Sequence, residues 1–370
     1  MLRINKVKDQ KTVLLVSDMG KFGGTEVATL VTAKVLKKND IKVIVLGKDG
    51  PLVKSLLEEE ILFYDYDTHS RKIIKNLSLL YVCYKLLKKY KINIIHAQMA
   101  RPVPLLWLAK FFAGNKGKIF WTSRGILEHT YKIILPIFRL INIKIIGNCK
   151  QEQRKIIGYG YPPKLVSYAY NAYRLESNLV LKEKNISNVV RIGTLSALRL
   201  DRRIDLFLDI IEKITELNPT LKIQYYIGGD GPEKNNLEKL ARDKKIKNIK
   251  FLGNINDVAN YFNNLDVFVS SVVTEGATGA GISNAIVEAM LTKTPVCAFD
   301  AAAIGEIVIN NQTGHLVEPR NTEAMAKAIL QTIEDKEQTQ VYVENAYDLI
   351  IKECDPQNYA KKLISLYEEL

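Results

Sequence analysis

Short apolar segments alternate with helical stretches along this chain, and the alternation completes two separate rounds. Thr12 to Ser17 reads T-V-L-L-V-S, a continuous apolar run of the kind that marks a strand buried on both faces. Ile41 to Leu46, Ile61 to Tyr64 and Asn93 to His96 repeat it, and Lys118 to Thr122 and Ile143 to Ile146 extend it. Helical stretches lie between some of these strands, at Thr25 to Lys38, Leu52 to Glu60 and Lys72 to Tyr90. The second round has strands at Val189 to Gly193, Lys222 to Gly228, Ile249 to Leu252, Val267 to Ser270 and Pro295 to Phe299. Its helices are expected at Ile204 to Leu217, Pro232 to Lys244, Val258 to Asn264, Asn284 to Thr292, Ala301 to Ile309 and Thr322 to Asp335. Strands that alternate with helices pair in parallel, because each crossover returns the chain to the same edge of the sheet. Two doubly wound α/β domains follow, residues 1–180 and 181–355, with the linker near Arg174 to Asn188. A last helix, residues 356–370, could pack on either. Such sheets bind ligands at the carboxyl ends of their strands, so the natural site is a cleft between the two domains.

Length agrees with this division, since 370 residues suffice for two cores. The net charge of +13 is uneven: residues 1–185 hold 33 basic and 14 acidic side chains, a net +19, and the remainder nets −6. A basic domain attracts anionic lipid, nucleic acid or acidic substrates. Nucleic acid is set aside, because no aromatic-interleaved basic motif accompanies the charge. Cys83, Cys149, Cys297 and Cys354 are far apart and read as reduced, mostly buried thiols of a cytosolic protein. The four histidines form no ligand pattern, so no metal site is indicated. The amino terminus lacks the apolar core of a signal peptide, and no apolar run approaches the ~18 residues of a spanning helix.

One loop carries most of the chemistry. Thr274 to Met290 reads T-E-G-A-T-G-A-G-I-S-N-A-I-V-E-A-M, a glycine-rich segment between a strand and a helix. That layout exposes backbone N–H groups at a helix amino terminus, where an anion can sit. Glu288, about one turn into the helix, would repel phosphate but could accept hydrogen bonds from sugar hydroxyls. The stretch suggests a site for a phosphorylated sugar or nucleotide, with an ordinary strand-to-helix turn as the plain alternative. Gly20 to Glu26 (G-K-F-G-G-T-E) is a second loop whose paired glycines admit a phosphate or sugar, although it matches neither dinucleotide nor P-loop patterns. Gly228 to Pro232 reads as a tight turn with Pro at a helix start. Asp65-Tyr66-Asp67 fits a metal-binding D-x-D pattern, but three residues arise easily by chance. Lys72 to Lys91 has apolar residues at helical spacing with lysines elsewhere, as a membrane-surface helix would, although packing on its own sheet is the commoner use.

Taken together, the second domain resembles family four of the retaining glycosyltransferases, which have the GT-B fold. The matching text runs from V-V-R-I-G-T-L-S-A-L-R-L-D-R-R-I-D-L-F-L through Y-Y-I-G-G-D-G-P-E, I-K-F-L-G-N-I-N-D-V, L-D-V-F-V-S-S, G-I-S-N-A-I-V-E-A-M and P-V-C-A-F-D to E-I-V-I-N-N-Q-T-G-H-L-V-E-P. It covers about 130 residues in the family's order. The first domain matches more loosely, through M-G-K-F-G-G-T-E, I-I-H-A-Q and N-A-Y at Asn171 to Tyr173. The resemblance implies two Rossmann-like domains facing a cleft, with the carboxyl-terminal helix crossing back to the first. It implies transfer of a sugar from a nucleotide-diphosphate sugar with retained anomeric configuration, without a metal or other cofactor. The donor would bind the second domain. A glycan or lipid-linked acceptor would bind the basic first one, on the side of Thr25, His96 and Arg124. A cytoplasmic protein peripheral to an anionic membrane is the expected setting, in the synthesis of cell-surface polysaccharide.

The donor site transfers residue by residue, with two departures. Family members have two glutamates eight positions apart; the second is Glu288, but the first position holds Ala280. They also have an Arg and a Lys that clamp the diphosphate; here Ala197 stands at the Arg and Arg202 at the Lys. One resolution is local substitution, with Arg199 for the missing Arg and Glu275 for the missing Glu. Glu275, Arg199 and Arg202 are then the catalytic candidates. Gly23, Gly24, Gly281, Ile282, Ser283 and Glu288 complete the donor site. Arg124, in S-R-G where His-Gly is frequent, would add relocated positive charge. The other resolutions are an unusual donor, or a non-catalytic relative that binds a partner enzyme or glycan.

Overall fold

A computed structural model describes residues 10–20, 23–173, 188–273 and 281–370. The chain divides into two compact units, residues 1–174 with 354–370, and residues 175–353.

In the first unit, strands β1 (Thr12–Val16), β2 (Lys42–Gly47), β3 (Leu62–Asp65), β4 (Ile94–Ala97), β5 (Lys118–Ser123), β6 (Lys144–Gly147) and β7 (Val166–Tyr168) form one parallel sheet in the order β3-β2-β1-β4-β5-β6-β7. The apolar run of β1 is buried at every position. Its side chains alternate between the two faces: Leu14 and Val16 join one core, Val13 and Leu15 the other. Fully burying each such side chain contributes about 1.5–3 kcal/mol. Helices α3 (Ile73–Lys89), α4 (Val103–Ala113), α5 (Glu128–Leu140) and α6 (Lys150–Gly158) contribute to the first core. Helices α1 (Gly24–Lys38) and α2 (Val53–Glu58) contribute to the second.

The last helix, α13 (Pro356–Glu369), completes that second core with Tyr359, Ala360, Leu363, Leu366 and Tyr367. Its start is fixed by Asp355, whose carboxylate accepts from the N–H groups of Gln357 and Asn358 at 2.8 and 2.9 Å, and by Pro356 in the first turn. Tyr359 hydroxyl bonds Thr32 of α1 at 2.9 Å.

In the second unit, β8 (Val190–Leu195), β9 (Ile223–Gly228), β10 (Ile249–Gly253), β11 (Val267–Ser270), β12 (Val296–Phe299) and β13 (His315–Val317) form a parallel sheet ordered β10-β9-β8-β11-β12-β13. Helices α7 (Ile204–Leu217), α8 (Lys234–Asp243), α9 (Val258–Asn263), α10 (Asn284–Leu291), α11 (Thr322–Glu334) and α12 (Lys336–Cys354) accompany it. In each sheet the winding reverses at the unit's first strand, beside β1/β4 and β8/β11.

Two sequence expectations change. The helix expected over Ala301 to Ile309 is only a 3₁₀ turn at Ile304–Glu306: the run has a helical composition, but Ala302 takes a left-handed φ of 48°, which a right-handed helix does not admit. Helices α4, α5, α6 and α12 and strands β7 and β13 add to the elements expected from the sequence. Among the described residues no helix is long and apolar enough to cross a membrane.

Candidate active site

In the second unit the candidate residues follow β8 and β11 in the chain, two hydrogen-bonded neighbours. The winding reverses there, which opens a crevice for ligands in such sheets. Beyond β8 the chain runs through Ser196 to Arg203. This loop rests directly on the glycine turn after β9. Ser196 and Leu198 donate backbone N–H groups to the carbonyls of Gly228 and Asp230 at 3.1 and 3.0 Å. A Cβ on Gly229 would meet Ser196 O at 1.9 Å, and one on Gly231 would meet Leu198 O at 2.4 Å; both glycines have positive φ. The Gly228-Gly231 motif is therefore more than a tight turn: only glycine lets it support the loop that carries Arg199 and Arg202.

Arg199 is not an unoccupied clamp. Its Nε and Nη2 bond both carboxylate oxygens of Asp201 at 2.8 and 2.7 Å. Arg202 Nε lies 3.7 Å from the same carboxylate. Arg199 above all, then Arg202, holds the Asp201 carboxyl below the usual range, and Asp201 raises Arg199 in return. Ala197 is exposed beside them.

Gly281, Ile282 and Ser283 lead into α10. Ser283 sits at the N-cap in extended conformation and makes no side-chain capping bond, and the first turn has no acidic residue. The N–H groups of Ile286 and Val287 bond Ser283 O at 3.1 and 3.2 Å, and those before them lie at the positive end of the helix dipole with no carbonyl a turn earlier in the helix. Glu288 is half-buried one turn further on. Glu275 and Ala280 lie outside the described residues, as do Lys21 and Phe22 of the first loop.

In the first unit, Gly23 caps α1 and Gly24 begins it, with Thr25 half-buried beside them. Arg124, just beyond β5, is half-buried and bonds two neutral amides: Asn171 Oδ1 at 2.6 Å and Gln98 Oε1 at 2.7 Å. Burial lowers its pKa, offset in part by Tyr359 and Glu26. A fully buried carboxylate, Glu152, braces the loop: it accepts from Ser123 and Tyr131, and Tyr131 hydroxyl accepts from Ile126 N–H at 3.0 Å.

His96 departs from its expected place on an acceptor surface. It lies on β4 with no exposed area, and both ring nitrogens are engaged, Nδ1 with Tyr367 hydroxyl and Nε2 with Thr122 hydroxyl, each at 2.7 Å. Burial, then the nearby Arg124 charge, pushes its pKa down to about 3. A strand buried on both faces gives its side chains no route to solvent, so His96 ties α13 to the sheet instead. Asp65 and Asp67 hold turns, accepting from the N–H groups of Asp49 and His69 at 2.9 and 3.1 Å.

Two family models match these units: Glycosyl transferase 4-like over residues 12–138 and Glycosyl transferases group 1 over residues 188–335. The chain belongs to the group 1 glycosyltransferases. Among curated relatives, a poly(ribitol-phosphate) alpha-N-acetylglucosaminyltransferase of Staphylococcus aureus is 27% identical over 48% of this chain. That match spans only 35% of the relative's own length. The capsular polysaccharide biosynthesis glycosyltransferase CapH of Staphylococcus aureus is 25% identical, covering 70% of this chain and 74% of its own. A UDP-Gal:alpha-D-GlcNAc-diphosphoundecaprenol alpha-1,3-galactosyltransferase of Escherichia coli is 24% identical over 86% of this chain and 87% of its own. Among solved structures, a glycosyltransferase from Rickettsia africae superposes with a TM-score of 0.84 at 21% identity, over 98% of each chain. HepE from Anabaena, in complex with UDP and glucose, gives 0.76 at 19% identity, over 97% of this chain and 99% of its own. These likenesses fix the fold as GT-B.

Within this glycosyltransferase, sequence reasoning overlooked the residues that hold the candidates in place. Asp201 carries a visible signal, an acid two positions from Arg199. Gln98 and Asn171 lie in the I-I-H-A-Q and N-A-Y stretches noted in the sequence, but their shared contact with Arg124 is not written there, since only the sheet brings the ends of β4, β5 and β7 within reach of one guanidinium.

Proposed function

We propose that the chain transfers a hexosyl group from a nucleotide-diphosphate sugar to a glycan or lipid-linked glycan, in the synthesis of a cell-surface polysaccharide. The observation that carries the reading is the switch point between the neighbouring strands β8 and β11: β8 is followed by the loop of Arg199 and Arg202, and the next helix after β11 has no acid in its first turn. Backbone N–H groups and two guanidinium groups suit a diphosphate, which is anionic and rich in acceptor oxygens. In this reading the amides of Gly281 to Ser283 and the two arginines hold the diphosphate. Their charge stabilises it as it leaves, by several kcal/mol. Glu288 accepts from ribose hydroxyls. The acceptor hydroxyl attacks from the face the leaving group vacates, so configuration is retained and neither an enzymic nucleophile nor a metal is required. Glu275 orients the donor sugar. Gly23, Gly24, Thr25 and Arg124 serve the first unit's side of the reaction. The Escherichia coli relative's name, with its UDP-sugar donor and diphospholipid acceptor, supports both substrate classes.

The test is a panel of UDP-, GDP- and dTDP-sugars with diphospholipid-linked sugars as acceptors. Transfer from one donor is expected, with losses of order 10²-fold in Arg202→Ala and Glu288→Ala. If no donor is consumed and none raises the melting temperature, the enzyme reading fails. Ala197 favours a second reading, a non-catalytic relative that binds glycan; it requires function to survive both substitutions.

A further inference from the structure

The charge of this protein has a single source. Residues 71–140 hold 14 of the 53 Lys and Arg but only one of the 40 Asp and Glu, Glu128. That stretch is +13, and the rest of the chain, with 39 of each, is neutral. The same stretch builds α3, α4 and α5, which lie on one face of the first unit's sheet and share one core.

Their outer surfaces are apolar where a solvated layer would be polar. On α3 the outward stripe is Ile74, Leu77 and Tyr81, continuing into Lys85 and Lys88; Ile74 is 79% exposed. Helix α4 reads V-P-L-L-W-L-A-K-F-F-A, apolar on all sides with one charge, Lys110. A helix apolar all round belongs in a core or against a nonaqueous surface. This one is on the outside, and its last turn exposes Phe111 and Phe112 by 67% and 61%. Trp107 stacks on Phe111 at 5.9 Å, and Phe112 meets Phe111 edge-on at 5.6 Å. Helix α5 buries Tyr131, Leu135 and Phe138 yet exposes Ile133, Ile137 and Leu140, the last by 85%. The three helices all run antiparallel to the strands, so their last turns share one edge of the layer. Phe111, Phe112 and Leu140 therefore stand there among Lys88, Lys89, Lys110 and Arg139.

From this we infer that the outer face of α3, α4 and α5 seats the protein on a bilayer rich in anionic lipid. The rings of Phe111 and Phe112 enter the boundary between headgroups and acyl chains, and the surrounding lysines and arginines meet lipid phosphates. Apolar insertion and charge attraction together give the two signals that stable peripheral binding needs. A nucleic acid would match the charge but has no use for three exposed aliphatic and aromatic stripes. A second copy of this chain would oppose +13 with +13. The inference builds on the lipid-linked acceptor proposed above, and its test measures vesicle binding without sugar transfer, so the two can fail separately.

The experiment is flotation of the full chain with vesicles of phosphatidylcholine plus phosphatidylglycerol, and of phosphatidylcholine alone. Binding to the mixed vesicles is expected, weakened by high salt. The double substitution Phe111→Ser and Phe112→Ser is expected to weaken it by about tenfold or more while the melting temperature holds, since both rings are exposed. Trp121 is buried, so a blue shift of tryptophan emission on adding vesicles would report the half-buried Trp107, which stacks on Phe111. Failure of the parent protein to float overturns the inference. So does a serine variant that floats equally well, or one that only converts a dimer to monomers.

Discussion

Asp201 and Arg199 illustrate how one side chain sets what another can do. The bidentate pair engages the guanidinium edge of Arg199, so under the proposed function Asp201 would compete with the donor diphosphate for Arg199. Replacing Asp201 with Asn removes the competing charge but keeps the shape. Nucleotide diphosphate is expected to bind roughly tenfold more tightly to Asp201→Asn in calorimetry, one charge at an effective dielectric of ~20 being sufficient. Stability is expected to change by less than about 1 kcal/mol, because the pair is solvent-screened. Weaker binding would mean that Asp201 orients Arg199 and does not compete with the ligand. His96 gives a second residue-scale expectation. Its folded pKa of about 3 lies below the ordinary 6.5, so the unfolded chain binds the extra proton. The contribution is fully present above pH 6.5 and is lost as pH falls toward 3. At pH 5 the loss is about 2 kcal/mol. Urea titrations of the parent and His96→Gln at pH 7.5 and 5 test this through the difference in pH slope; equal slopes would remove His96 as the cause.

Helix α10 shows the same competition at the scale of an element. Ser283 leaves the helix start uncapped by any side chain, which costs stability and leaves N–H groups for a ligand. Ser283→Asp is expected to move the two properties in opposite directions. Stability rises by about 0.5–1 kcal/mol, through a cap bond and the helix dipole, while affinity for nucleotide diphosphate falls about tenfold from charge repulsion. A thermal melt and a binding titration read both; a variant that gained stability without losing affinity would place the anion elsewhere. Elements also show what was legible beforehand. Strands such as β1, β2 and β11 are continuous apolar runs and were read to within a residue or two. Helix α4 was invisible because it has no polar face to set a period, and α5 because Pro136 interrupts it. Strands β7 and β13 have three residues each, too few for a pattern. Helix α10 was legible from the sequence, whereas residues 274–280 of the glycine-rich loop before it lie outside the described residues. The bracing of Arg124 by Gln98 and Asn171 was not legible, since those residues meet only through the sheet.

For the whole molecule, the decisive feature is that the first unit is built from both ends of the chain. Its second core lacks Tyr359, Leu363, Leu366 and Tyr367 without α13. At roughly 2 kcal/mol each, these four account for about 8 kcal/mol, comparable with the whole stability of a domain, about 5–15 kcal/mol. A fragment of residues 1–174 is therefore expected to lose its near-ultraviolet dichroism and its cooperative melt. A peptide of residues 354–370 added in trans should restore both. A fragment that melts like the parent would show α13 to be dispensable. The second unit, contiguous over residues 175–353, needs no such closure. On the ribosome this arrangement inverts the usual sequence of events. The part synthesised first finishes last: at about 5–20 residues per second, the nascent first unit waits on the order of ten seconds or more for its final helix, one core still open. That interval is one in which a chaperone would find it. A premature stop anywhere between residue 174 and α13 would release a chain whose earliest-made half was never completed.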